Sequence, residues 1–126
     1  MQNRVIFHGQ VSREEAFALM QTSTYFVMVS DHETFGMVYI EAMLAGCITI
    51  AAQGGGVDGV IVDGENGFLS QQGNTNELVK TIERIERLSD YDSDNLRRKS
   101  ILTALEYSDN KVSQKYIDDV LTWKDF

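Results

Sequence analysis

From Met37 to Ala45 almost every position is apolar, leaving no polar face for a helix to turn towards water. A helix that is hydrophobic all round is a buried helix. The exceptions within it are the Tyr39 hydroxyl and Glu41. A carboxylate there must be paired, protonated or turned towards a ligand, because leaving it buried and uncompensated costs on the order of several kcal/mol. Gly46 supplies the C-terminal stop. Short apolar runs lie on either side. Arg4-Val5-Ile6-Phe7-His8-Gly9 predicts a short buried strand ended by glycine, Tyr25-Phe26-Val27-Met28-Val29 a second, and Cys47-Ile48-Thr49-Ile50-Ala51 a third.

Helical signals fill the intervals. Ser12-Arg13-Glu14-Glu15 has the form of a capping box, serine at the cap and glutamate three residues on, and opens a helix to about Gln21. Glycines at Asp63-Gly64 and Asn66-Gly67 predict two turns, with a short strand at Phe68-Leu69 after them. Leu78, Ile82, Ile85 and Leu88 recur at helical spacing with charges on the opposite face. Leu96, Ile101, Leu102 and Leu105 predict another helix. Val112, Tyr116, Val120 and Leu121 predict a last one, capped near Ser108 or Asp109. Short apolar strands alternating with helices indicate an α/β fold, a Rossmann-like parallel sheet with helices on both faces. In open sheets of this kind ligands sit at the carboxyl ends of the strands. The loops at 30–36 and 53–56 both leave strands at that edge and should lie side by side.

Composition narrows the function classes. The 126 residues suffice for one domain or part of one, and 43% hydrophobic with 24% charged residues is ordinary for a soluble globular chain. No run approaches the roughly 18 apolar residues of a membrane span, and no signal segment opens the chain. A cytoplasmic setting is expected. The single cysteine excludes a disulfide framework and a cysteine zinc site. A net charge of −8 argues against a nucleic-acid partner, which calls for a basic footprint. It leaves a phosphate ligand open, since backbone amides can supply the local field.

The chemistry concentrates around the buried helix. Free backbone N–H groups at a helix start, backed by the helix dipole, make an anion site. Gly36 falls at the expected first turn, Glu33 just before it, and Glu41 about one turn inside. An anion cradle between two carboxylates suits a ligand with a phosphate and several hydroxyls, such as a nucleotide sugar. His32 and His8 read as solvated side chains, Cys47 as a core residue. Gly54-Gly55-Gly56 is a weak phosphate signal without a flanking cation.

The run Glu33-Thr34-Phe35-Gly36-Met37-Val38-Tyr39-Ile40-Glu41 resembles the E-x7-E signature of retaining glycosyltransferases of family 4, which have the GT-B architecture. Further segments fit in the same order: Arg4-Val5-Ile6-Phe7-His8-Gly9, Ser30-Asp31-His32-Glu33-Thr34-Phe35-Gly36, Gly55-Gly56-Val57-Asp58-Gly59-Val60-Ile61, Asp63-Gly64-Glu65-Asn66-Gly67-Phe68-Leu69, and the tail around 112–116. The resemblance implies a nucleoside-diphosphate sugar as donor and transfer of its glycosyl group with retained configuration. It places Glu33 at the donor sugar as the catalytic carboxylate and Glu41 at the ribose hydroxyls. The N–H groups of Phe35 and Gly36 would meet the sugar, those of Met37 and Val38 the distal phosphate, and the Arg4 backbone the nucleobase. It implies no metal and no further cofactor.

Two positions depart from the family pattern: Ile48 stands where a proline is common, and Gly59 where a glutamate is common. The resemblance covers residues 1–126 as a partial C-terminal, nucleotide-sugar-binding domain of a GT-B enzyme. It implies that the N-terminal acceptor domain and the first part of this domain, with the cations that grip the diphosphate, are absent. The expectations are therefore that the isolated chain is inactive, and that a glycan or lipid-linked acceptor binds through the missing domain. Self-association through an open sheet edge is a further expectation. The implied setting is surface polysaccharide or glycolipid synthesis, with the full-length protein peripheral to the inner membrane. A rival reading is a non-catalytic Rossmann-like nucleotide-binding or regulatory domain; a nucleotide-sugar epimerase fits the later segments less well.

Overall fold

The computed structural model describes residues 4–29, 37–54 and 59–107. Three parallel strands, β1 (Tyr25–Met28), β2 (Ile48–Ala52) and β3 (Phe68–Ser70), form one sheet in the order β1-β2-β3. Tyr25 stands opposite Ile48 and Met28 opposite Ala51, while Ile50 stands opposite Phe68. Among the described residues four helices accompany them: α1 (Arg13–Gln21), α2 (Met37–Leu44), α3 (Thr75–Glu86) and α4 (Asp90–Tyr107).

The central strand β2 is buried along its whole length, as a parallel strand covered on both faces must be. Its side chains alternate between two cores. Ala51 packs with Phe17 and Met20 of α1 and the buried face of α2, whereas Ile48 and Ile50 pack with Phe68 and with Ile85 of α3. Helix α4 serves both layers, with Leu96 in the second and Ala104 in the first. The predicted α/β layering, helices on both faces, is thus the observed one.

Local chemistry explains where the elements start and stop. The Glu15 N–H donates to Ser12 Oγ at 3.1 Å while the Ser12 hydroxyl donates to the Glu15 carboxylate at 3.2 Å, so α1 is capped as its sequence predicts. Helix α2 is buried from Tyr39 to Leu44, in keeping with its unbroken apolar pattern. At its end Gly46 takes a left-handed φ of 89°, and its N–H reaches the Met43 carbonyl at 3.1 Å. The Cys47 N–H reaches the Ala42 carbonyl at 3.1 Å, which completes a Schellman cap. Ile48 then donates its N–H to Thr24 O at 2.9 Å, a bond that a proline there would forfeit. Gly59, the other departure from the family pattern, has a φ of 93°, a conformation that a glutamate would enter only with strain.

One predicted element does not form. Residues 5–9 carry no strand pairing among the described residues, and Val5, Ile6 and Phe7 are 57%, 74% and 92% exposed. A strand exists only where neighbouring backbone satisfies its N–H and C=O groups. Among the described residues, β1 is hydrogen-bonded to β2 alone, and the 4–9 segment does not pair with its open edge. The predicted helix around 112–121 lies outside the described residues.

Candidate functional site

The carboxyl ends of β1 and β2 are adjacent, with Met28 in register with Ala51. The chain leaves β1 through Val29 and returns at Met37, which opens the described part of α2. It leaves β2 through Gln53 and Gly54. The strand ends from which the two loops leave are therefore adjacent, while residues 30–36, with Glu33, Phe35 and Gly36, and residues 55–58 lie outside the described residues.

Helix α2 is fixed against that edge by Tyr39. Its side chain is buried, its hydroxyl donates to the Met28 carbonyl at 2.8 Å, and its ring meets Phe26 edge-on at a centroid distance of 5.9 Å. The last carbonyl of β1 is thereby satisfied by the first turns of α2, which sets how the helix leaves the sheet edge. Met37 and Val38 sit at the start of the described helix, Met37 exposed and Val38 half-buried. N–H groups in a first helical turn have no intrahelical acceptor and point outward along the axis. The positive end of the α2 dipole lies there too.

Glu41 sits one turn further in. Its side chain is only 9% exposed, and its Oε1 is 2.6 Å from Nη2 of Arg13 on α1. Of the three fates open to a carboxylate in an apolar helix, pairing is the one realised. Along the sequence Arg13 stands out only as part of a capping box. The signal that could have singled it out is electrostatic: a cation in the first turn of a helix faces the positive end of the dipole and calls for another reason to be there. Arg4 opens the exposed N-terminal segment, and no contact joins it to Glu41 among the described residues. His8 is exposed, as a solvated side chain should be. Cys47 is fully buried, its Sγ 3.0 Å from the Met20 carbonyl, as expected of a core thiol.

A second anchored segment follows β2. Asn66 is buried and acts as the hub of the 60–67 loop. Its Oδ1 accepts from the Val62 N–H at 2.8 Å, and its Nδ2 donates to the Val60 carbonyl and to Thr103 Oγ1 of α4, both at 3.0 Å. Asp63 accepts from the Leu69 N–H at 2.9 Å and pairs with Arg84 at 3.1 Å, whose guanidinium lies 4.7 Å from the centre of the Phe68 ring. Gly67 is required by close approach: a Cβ there would stand 3.0 Å from Ile61 Cγ2 and 3.1 Å from the Thr49 carbonyl oxygen. Both predicted turns are thus held by side chains to the sheet and to two helices. Among the described residues no His, Cys, Asp and Glu side chains gather in a group able to hold a metal ion. No helix among them is long and apolar enough to cross a membrane.

A parallel α/β sheet with a nearly buried carboxylate on the helix that follows its edge strand defines a Rossmann-like unit. Residues 1–102 match the family described as Glycosyl transferases group 1, and the chain belongs to that family. It is 35% identical over 74 residues to an uncharacterized glycosyltransferase of Methanocaldococcus jannaschii, a match covering 59% of this chain and 21% of that one. It is 28% identical over 119 residues to the GDP-mannose:cellobiosyl-diphosphopolyprenol alpha-mannosyltransferase of Xanthomonas oryzae, covering 94% of this chain and 31% of the relative. Among solved structures, Anabaena HepE in complex with UDP and glucose superposes with a TM-score of 0.78 at 27% identity, covering 96% of this chain and 32% of that one. The chain thus spans between a fifth and a third of the length of these relatives. The α/β fold and the glycosyltransferase relationship expected from the sequence are both found.

Proposed function

We propose that this chain is the donor-binding part of a retaining glycosyltransferase of family 4, whose full-length form transfers a sugar from a nucleoside diphosphate to an acceptor hydroxyl. The observation that carries this reading is Glu41: a nearly buried carboxylate on an apolar helix, one turn behind an amide-bearing helix start at the carboxyl edge of the sheet. Vicinal ribose hydroxyls suit a carboxylate acceptor, and such charge-assisted bonds are the strong kind. In this reading the N–H groups of Met37 and Val38 take the distal phosphate and those of Phe35 and Gly36 the sugar. Glu33 faces the sugar as the catalytic carboxylate, and the Arg4 backbone meets the base. The leaving diphosphate is stabilised by amides, by the α2 dipole and by cations supplied from elsewhere in the full-length protein, without a metal. Likeness to a UDP-bound structure and to a GDP-mannose enzyme supports a nucleotide-sugar donor.

The acceptor, a glycan or lipid-linked sugar, is assigned to a domain beyond these residues, and the setting to surface polysaccharide or glycolipid synthesis at the cytoplasmic side of a membrane. The isolated chain is accordingly expected to be inactive, with millimolar nucleotide affinity, about 4 kcal/mol of binding. The exposed apolar side chains at 5–7 support self-association of the isolated chain, which light scattering measures directly. The decisive experiment is Glu41→Gln in the full-length protein, with calorimetry against UDP, GDP and their sugars. Loss of a charged acceptor should cost about 1.5–3 kcal/mol, roughly ten- to a hundredfold in affinity. An unchanged dissociation constant would remove Glu41 from the donor site. Glu33→Ala should instead depress transfer while sparing affinity for the bare nucleoside diphosphate; equal loss of both would move Glu33 to the nucleotide.

A further inference from the structure

We infer that Arg13 is a positioning residue for Glu41, and that the pair makes the site selective for ribo- over 2′-deoxyribonucleoside diphosphates. The inference rests on the proposed role of Glu41 at the ribose and adds to it the group that makes the carboxylate fit for that role. Three features of the structure point to it.

Arg13 occupies the first position of α1, where Glu14 and Glu15 suit the positive end of the helix dipole and an arginine does not. Its side chain, 61% exposed, nevertheless ends 2.6 Å from a carboxylate that is 9% exposed. Finally, α1 and α2 share one core through Phe17, Met20, Ile40 and Met43, so the two charged groups are carried on helices packed together rather than on loops.

The physical consequence follows from the asymmetry of burial. An ion pair between two solvated side chains contributes little. Here one member has largely left water, and without a cation to hold it the side chain would swing out towards solvent. The guanidinium holds the carboxylate in place and occupies Oε1. A carboxylate has a second oxygen, with lone pairs left over on both. Ionised acceptors form hydrogen bonds roughly twice as strong as neutral ones. A ligand hydroxyl placed against Glu41 therefore meets a strong, oriented acceptor. A ligand lacking that hydroxyl covers the second oxygen without giving it a donor, and that unmet acceptor produces the discrimination.

Calorimetry on the full-length protein with UDP and 2′-deoxy-UDP, and in parallel with GDP and 2′-deoxy-GDP, tests the inference. The unaltered protein should bind the ribo form about tenfold or more tightly than the deoxy form. In Arg13→Ala that ratio should fall to within about threefold, through weaker binding of the ribo form. Arg13→Lys, which keeps the charge and loses the fork, should restore part of the ratio, and it carries the test if the alanine variant fails to fold. A ratio that Arg13→Ala leaves intact, or an equal loss for both forms, overturns the inference. A ratio that rises also overturns it, because Arg13 would then compete with the ribose for Glu41. Glu41→Gln separates the two levels. If that variant keeps the ribo preference, the ribose role of Glu41 itself fails. If it loses the preference while Arg13→Ala keeps it, only the role of Arg13 fails. Absence of binding to either nucleotide pair would overturn both.

Discussion

Replacing Asn66 by alanine should loosen the 60–67 loop from helix α4, and the structure allows the cost to be worked out bond by bond. Asn66 makes three hydrogen bonds, to the Val62 N–H, the Val60 carbonyl and Thr103 Oγ1. At about 1 kcal/mol net for each, the direct loss is about 3 kcal/mol. The groups left behind differ. Val62 is exposed, so water can reach its N–H; Val60 is buried, and its carbonyl keeps part of its desolvation penalty. Thr103 still donates to the Lys99 carbonyl at 2.9 Å. A destabilisation of about 2–4 kcal/mol is therefore expected, read from urea denaturation followed by circular dichroism. Asn66→Asp sharpens the test. Its Oδ1 can still accept from Val62, but the second oxygen now faces the Val60 carbonyl and needs a proton. The native state then binds more protons than the unfolded one, so the stability of this variant should rise as pH falls through the carboxylate range. Thr103→Val should cost only about 1 kcal/mol. If Asn66→Ala costs less than about 1 kcal/mol, the loop is not anchored through this side chain and the reasoning fails.

Other expectations rest on equally local geometry. Gly67→Ala should destabilise by about 1–3 kcal/mol, because the new methyl group meets Ile61 and the Thr49 carbonyl; a thermal melt unchanged from the parent would show that the strand ends yield freely. Burial of Tyr25, and its hydroxyl bonded to Glu86 at 2.5 Å, push its pKa from 10.0 up to about 12. The folded value being raised, the contribution of this phenol to stability is fully present below about pH 10 and lost as pH rises through about 12. Absorbance titration should therefore show a late-ionising component that is lost in Tyr25→Phe, and a titration curve unaltered by that substitution would refute the assignment. Tyr39→Phe should cost about 1 kcal/mol by leaving the Met28 carbonyl without its hydroxyl donor, and hydrogen exchange at the start of α2 should quicken; unchanged exchange would refute the anchoring role.

Much of this architecture could be read along the chain because the determining interactions are local. The Ser12 cap, the Gly46 stop and the all-round apolar pattern of α2 each act within about two helical turns, and each produced the element expected of it. The strand forecast at 4–9 failed for a non-local reason. Its residues have the composition of a strand, but a strand is completed by a neighbour, and composition says nothing of whether one is present. The site divides the same way. Glu41 was conspicuous as the one acid in an apolar helix, so its need for a partner was legible. The partner's identity was not, because Arg13 lies 28 positions upstream on another helix and the two meet only after α1 packs on α2. Asn66 was recognisable as a turn residue, but its hold on Thr103 depends on where α4 comes to rest.

The lone cysteine gives the fold a clock. Cys47 lies between the α2 cap and the first residue of β2, fully buried, with its Sγ 3.0 Å from the Met20 carbonyl at the end of α1. A thiol in that position reacts only as a thiolate and only when reached, so alkylation must wait for α1 to lift away from α2. Because the chain has a single cysteine, the labelling rate reports that one opening event without interference from any other site. The same two helices carry Arg13 and Glu41, so a ligand that draws them together should slow the chemistry of a sulfur it never touches. The kinetics of a buried atom held near the end of α1 would then register occupancy at a carboxylate paired with the start of that helix.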